Sequence, residues 1–138
     1  MFGYYISAQS IDSLITGYWS GELTQADGGF TPSYIFSMHI KVDGDIVTGQ
    51  AVVSTTDTLT ATMEFTGTIH KGGYLSIQET NLVEGSKMTT YEWCLKQYSL
   101  YFRTKEDDHF LVGFWTGVSE TSTCVPGKIK LKRRPDRA

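Results

Sequence analysis

The chain has 138 residues, the size of one domain that can bury most of its apolar surface. With 20% charged residues, a formal net charge of −3, and 3 Trp, 8 Tyr and 7 Phe spread along its length, it is not a disordered chain, and its charge marks no particular partner. No apolar run approaches the ~20 residues of a membrane-spanning helix. Apolar residues at three-and-four spacing are also missing over any long stretch, so one all-β domain is expected.

In chain order, "MFGYYISAQS" joins an aromatic, uncharged run to the small residues Ser7 and Ala8. It resembles the end of a secretory signal peptide without its basic start and most of its apolar core. Residues 1–13 are therefore expected to be a lead-in, read either as the remnant of such a peptide or as a strand-like or disordered segment. "LITGYWSGELTQ" follows, with a first strand expected over Ile15 to Gln25 and Gly17, Trp19 and Gly21 on one face. "YIFSMHIKV" turns Tyr34, Phe36, Met38, Ile40 and Val42 to one side. Asp43 to Asp45 ("DGD") is a hairpin turn, because Asp-Gly tolerates positive φ. A strand over Ile46 to Ser54, a polar turn at Thr55 to Asp57 and a long alternating run from Leu59 to His70 come next. "KGG" introduces Tyr74 to Val83, whose inward set is Leu75, Ile77, Glu79 and Asn81.

The second half repeats the pattern. Tyr91, Trp93 and Leu95 share a face, and Leu100 and Phe102 continue it after a turn expected near Gln97. Glu106 to Asp108 leads into "HFLVGFWTG", with Leu111, Gly113 and Trp115 inward, and Ile129 and Leu131 point inward between lysines in the last strand. Eight or nine antiparallel strands joined by short turns close most naturally into an up-and-down barrel, which removes both sheet edges. A two-sheet sandwich is the alternative. The barrel domain is expected over residues 14–134, with a tail at 135–138. Inward glycines (Gly17, Gly21, Gly49, Gly67, Gly113) permit tight coiling and leave room for aromatic rings. Trp19 is expected to lie across one barrel end as its floor.

"TGYWSGEL" resembles the first-strand Gly-x-Trp signature of the calycin barrels, the group of lipocalins, fatty-acid-binding proteins and avidins. "DGDIVTGQAVV" is similar to the second hairpin of avidins, and together with "YEWCLK" and "CVPGKIKL" the pattern resembles uncharacterised bacterial lipocalin-like proteins. The resemblance runs from Ile15 to Arg134. It implies an eight-stranded barrel, and a ligand-binding role by analogy. The polar residues with which avidins hold biotin are not matched, and neither is an aspartate-rich lipocalin motif.

Cys94 and Cys124 are the two cysteines. Strict alternation points Cys94 away from Trp93, to the outside, and Cys124 falls in the loop before the last strand. An exported protein would join them, and a reducing compartment would leave two thiols. The bond is the expectation, and with it an exported (periplasmic or extracellular) location rather than the cytoplasm. His39, His70 and His109 fall apart on surface positions, so no metal or other cofactor is expected. No Gly-x-Ser-x-Gly elbow points to a nucleophile.

Glu79 follows two apolar residues into the barrel, where an unpaired charge is costly. Either it joins Gln25, Asn81 and Tyr91 as the polar contacts of an aromatic cavity, or the strand bulges there and carries it to solvent. The candidate ligand-binding set is Gln25, Tyr34, Phe36, Met38, Phe65, Glu79, Tyr91 and Trp93, with Phe36, Met38 and Phe65 as its floor and the mouth opposite Trp19. "KIKLKRRPDR" carries six of the twelve basic residues. With no aromatic platform on the same face, it reads as solvated lysines and not as a nucleic-acid site. Three functions fit these residues. The first is a non-enzymatic, lipocalin-like binding module for a small apolar or amphipathic molecule. The others are a filled barrel that binds or inhibits a protein partner, and a barrel enzyme using Glu79 as acid or base.

Overall fold

The computed structural model describes residues 13–55, 58–87 and 92–135. The lead-in up to residue 12, Thr56 and Asp57 of the polar turn, Tyr91, and the tail beyond residue 135 lie outside the described residues. Eight strands follow one another: β1 Gly17–Thr24, β2 Ser33–Asp43, β3 Ile46–Ser54, β4 Thr60–His70, β5 Tyr74–Gly85, β6 Leu95–Lys105, β7 Asp108–Val118 and β8 Gly127–Arg134. Each pairs antiparallel with the next, and β8 returns to β1, so the sheet closes into an up-and-down barrel. The strand count is eight because β6 runs through Gln97, where a turn was expected. The sandwich alternative is excluded by closure.

Alternation decides what fills the barrel. Trp19, Leu23, Phe36, Met38, Ile40, Met63, Phe65, Leu75, Ile77, Tyr98, Leu100, Leu111, Ile129 and Leu131 are all buried. The inward glycines make room mainly for the neighbouring strand's backbone. At Gly21 an added Cβ would stand 2.1 Å from the Lys130 carbonyl oxygen, and at Gly113 it would stand 1.7 Å from that of Ser99. These glycines let neighbouring backbones approach. Gly49 does face a ring, that of Phe65.

One end of the barrel is shut. Residues 13–15 are helical, and Ile15 is fully buried. Trp19, with no exposed surface, donates its indole N–H to the Ile15 carbonyl at 2.8 Å and meets the edge of Phe102 at 6.4 Å. Arg133 clamps the helical turn by donating to the Ser13 and Leu14 carbonyls. Its guanidinium occupies the space that a side chain at Gly17 would need. Arg133 is therefore part of the floor and not of a solvated tail.

The barrel is looser on its far side. β5 follows β4 along its whole length, but the register shifts twice, between Thr62 and Met63 and between Glu64 and Phe65. β5 pairs with β6 only over Tyr74 to Gln78. Beyond Gln78 the two strands part, and side chains fill the gap. Gln78 Nε2 donates to the Glu79 carbonyl at 2.8 Å, and Trp93 Nε1 to the Ser86 carbonyl at 2.8 Å. Trp93 packs so closely on Gly85 that a Cβ there would stand 2.9 Å from the ring.

Candidate functional site: the barrel mouth

Strand direction alternates, so the ends of β1, β3, β5 and β7 share a rim with the starts of β2, β4, β6 and β8. This rim is opposite Trp19. A cavity of about 530 Å³ opens there. Its apolar wall includes Leu23, Phe30, Val53, Trp93, Trp115 and Val125, and the loop Ser119 to Cys124 closes one side.

Gln25 and Tyr34 stand side by side at this mouth, as alternation predicts, and both line the cavity. The Tyr34 hydroxyl donates to Gln25 Oε1 at 2.7 Å, while Gln25 Nε2 donates to the Val125 carbonyl at 3.0 Å. Burial raises the Tyr34 phenol above its ordinary value, with a lowering contribution from a Thr31 backbone hydrogen bond. Trp93 lines the cavity as well. Tyr91 lies outside the described residues. Phe36, Met38 and Phe65 are core residues that do not line the cavity, so the expected floor lies deeper than the cavity reaches.

The inner wall is Lys96, a residue that alternation from Trp93 would have placed outside. Residues 92–94 are not in a strand, and the facing is reset where β6 begins, so Lys96, Tyr98 and Leu100 point inward. Lys96 Nζ lies 2.9 Å from Glu79 Oε1, with both side chains essentially buried, and it donates to the Cys94 carbonyl at 3.3 Å. Its backbone N–H also donates to Glu79 Oε1 at 2.8 Å, and the Tyr98 hydroxyl donates to Glu79 Oε2 at 2.9 Å. The Glu79 carboxylate thus replaces the ladder bonds lost where β5 leaves β6. Burial, and then the charge of Glu79, hold the Tyr98 phenol well above its ordinary value. Phe36 supports the cluster, 5.8 Å from Lys96 Nζ and edge-on to Tyr98 at 5.8 Å.

The strand does bulge beside Glu79, yet Glu79 stays inside with 1% exposure. The register shift acts one residue later. It turns Asn81 outward, where its amide donates to Glu64 Oε1 at 3.0 Å, so Asn81 is not an inward contact. Both carboxylate oxygens of Glu79 are engaged, and it stands behind Lys96 and does not line the cavity.

Cys94 and Cys124 form a disulfide with Cα atoms 6.5 Å apart. They face the cavity and pack against the core. Cys94 is therefore not outward, for the same reason that Lys96 is inward. The bond pins the loop before β8 to the start of β6. Glu92, at the outer wall, accepts from Thr121 Oγ1 at 2.7 Å, and hydrogen bonds from Ser119 and Thr121 hold its carboxyl below the usual range.

The outer face corrects one expectation. Lys128 lies 6.0 Å from the centre of the Phe114 ring, Lys130 5.5 Å from that of Phe110, and Arg103 5.1 Å from that of Tyr101. The last strand's lysines thus do share a face with aromatic rings. Among the described residues there is no group of three or more His, Cys, Asp or Glu able to hold a metal ion. No helix among them is long and apolar enough to cross a membrane. Neither a protein-family model nor a curated protein sequence matches this chain.

Proposed function

We propose that this chain is a non-enzymatic, lipocalin-like binding module that holds a small apolar or amphipathic molecule in the barrel mouth. The observation that supports it is the cavity of about 530 Å³ walled by Trp93, Trp115, Phe30 and Tyr34. That volume lies within the ~300–1,000 Å³ typical of small-molecule sites. The disulfide favours an oxidising compartment, and hence an exported protein. The test is tryptophan fluorescence with an aromatic or fatty amphiphile added. Trp93 and Trp115 line the cavity and Trp19 does not, so the response should persist in Trp19→Phe and fall in Trp93→Phe and Trp115→Phe. A spectrum unmoved by every probe would refute the reading.

A second reading, a module that docks on another protein, is favoured by Phe114 (62% exposed) and Val118 (58% exposed) on the outer face of β7. Phe114→Ser would abolish such docking and leave uptake into the mouth intact.

A further inference from the structure

The binding reading leaves the chemical class of the ligand open, and the inner wall narrows it. An ammonium carries three donors. Two of Lys96's go to Glu79 Oε1 and the Cys94 carbonyl, and Lys96 itself lines the cavity. The indole donors there are committed, Trp115 Nε1 to the Thr24 carbonyl at 2.8 Å and Trp93 Nε1 to the Ser86 carbonyl, while Gln25 gives one of its two amide N–H groups to the Val125 carbonyl. Trp93 and Trp115 therefore offer a ligand ring faces, while Lys96 offers an N–H.

Charge then selects the acceptor. Glu79 neutralises Lys96 at 2.9 Å, and Glu92 adds a carboxylate at the outer wall. An anionic ligand head would share one ammonium with Glu79 and bring an uncompensated negative charge into a partly closed space. A cationic head would face the ammonium directly. A neutral carbonyl oxygen takes the free donor at neither cost. On the basis of the binding reading above, we infer that the mouth takes a neutral, ring-bearing molecule whose carbonyl-type oxygen accepts a hydrogen bond from Lys96.

The experiment compares three probes of one shape by calorimetry on the oxidised full chain: methyl naphthyl ketone, naphthoate and isopropylnaphthalene. The ketone is expected to bind about tenfold more tightly than either of the others, the scale of one hydrogen bond to a charged donor. In Glu79→Gln/Lys96→Met, which removes both charges together, the advantage of the ketone over the hydrocarbon should vanish. Naphthoate binding as tightly as the ketone overturns the inference. So does a hydrocarbon equal to the ketone, or a ketone advantage that survives in the double variant. In each of those cases the binding reading stands. Failure of all three probes to bind overturns the binding reading as well. The comparison on the unaltered chain decides even if the double variant does not fold.

Discussion

The Glu79–Lys96 pair should behave as one unit. The Lys96→Met side chain keeps a stem of similar length over Phe36 and deletes the ammonium. Glu79 is then left with the Lys96 N–H and the Tyr98 hydroxyl as partners, with its carboxylate still buried. Removing one member of a buried pair costs about 3–5 kcal/mol, because the other charge is stranded. Glu79→Gln strands the ammonium and should cost a similar amount. The double variant strands nothing, and its amide can still accept from the Lys96 N–H, so it should lose only about 1–2 kcal/mol. It would then be more stable than either single variant. Urea unfolding of the oxidised protein, followed by tryptophan fluorescence with the slope held common, measures all four forms. If the double variant costs the sum of the singles, or if Lys96→Met costs under about 1 kcal/mol, the pair is not a buried, mutually dependent unit.

Trp19→Ala should lower stability by about 3–5 kcal/mol, as large aromatic truncations in cores do, and a thermal melt without loss would contradict the floor role. Thiol titration of the denatured, unreduced chain should find no reactive cysteine. Cys94→Ser/Cys124→Ser should cost about 3–4 kcal/mol by chain entropy, for partners 30 residues apart. The raised phenol of Tyr98 predicts a pH dependence. Below about pH 10 the phenol is protonated whether the chain is folded or not, and its contribution is fully present. Above that pH the unfolded chain releases a proton the native state keeps, so stability should fall by about 1.4 kcal/mol per pH unit. Tyr98→Phe should flatten that alkaline decline in a series of denaturant melts, and an unchanged slope would refute the assignment.

Much of the barrel is determined by local pattern. A period of two runs through Tyr34 to Val42, Ala61 to Ile69 and Leu111 to Trp115, and each of these runs puts its apolar set inside. Short turns such as Asp43-Gly44-Asp45 leave consecutive strands little choice but to pair as neighbours. From these features follow closure, the buried Trp19 and the meeting of Gln25 with Tyr34 at the open end. Alternation is a property within one strand, however, and it carries no information across a break. Residues 92–94 form such a break, held by the disulfide and by Trp93 on Ser86 in place of a ladder. The face of Lys96 and Tyr98 was therefore not readable from Trp93, and a turn at Gln97 was the wrong place for the change of parity. The bulge after Glu79 depends likewise on how β4 and β5 fit around the barrel. Glu79 could be read as a buried carboxylate in need of partners, because local alternation sets burial. Which residues answered it depended on where β5 leaves β6, and only the closed tertiary structure decides that.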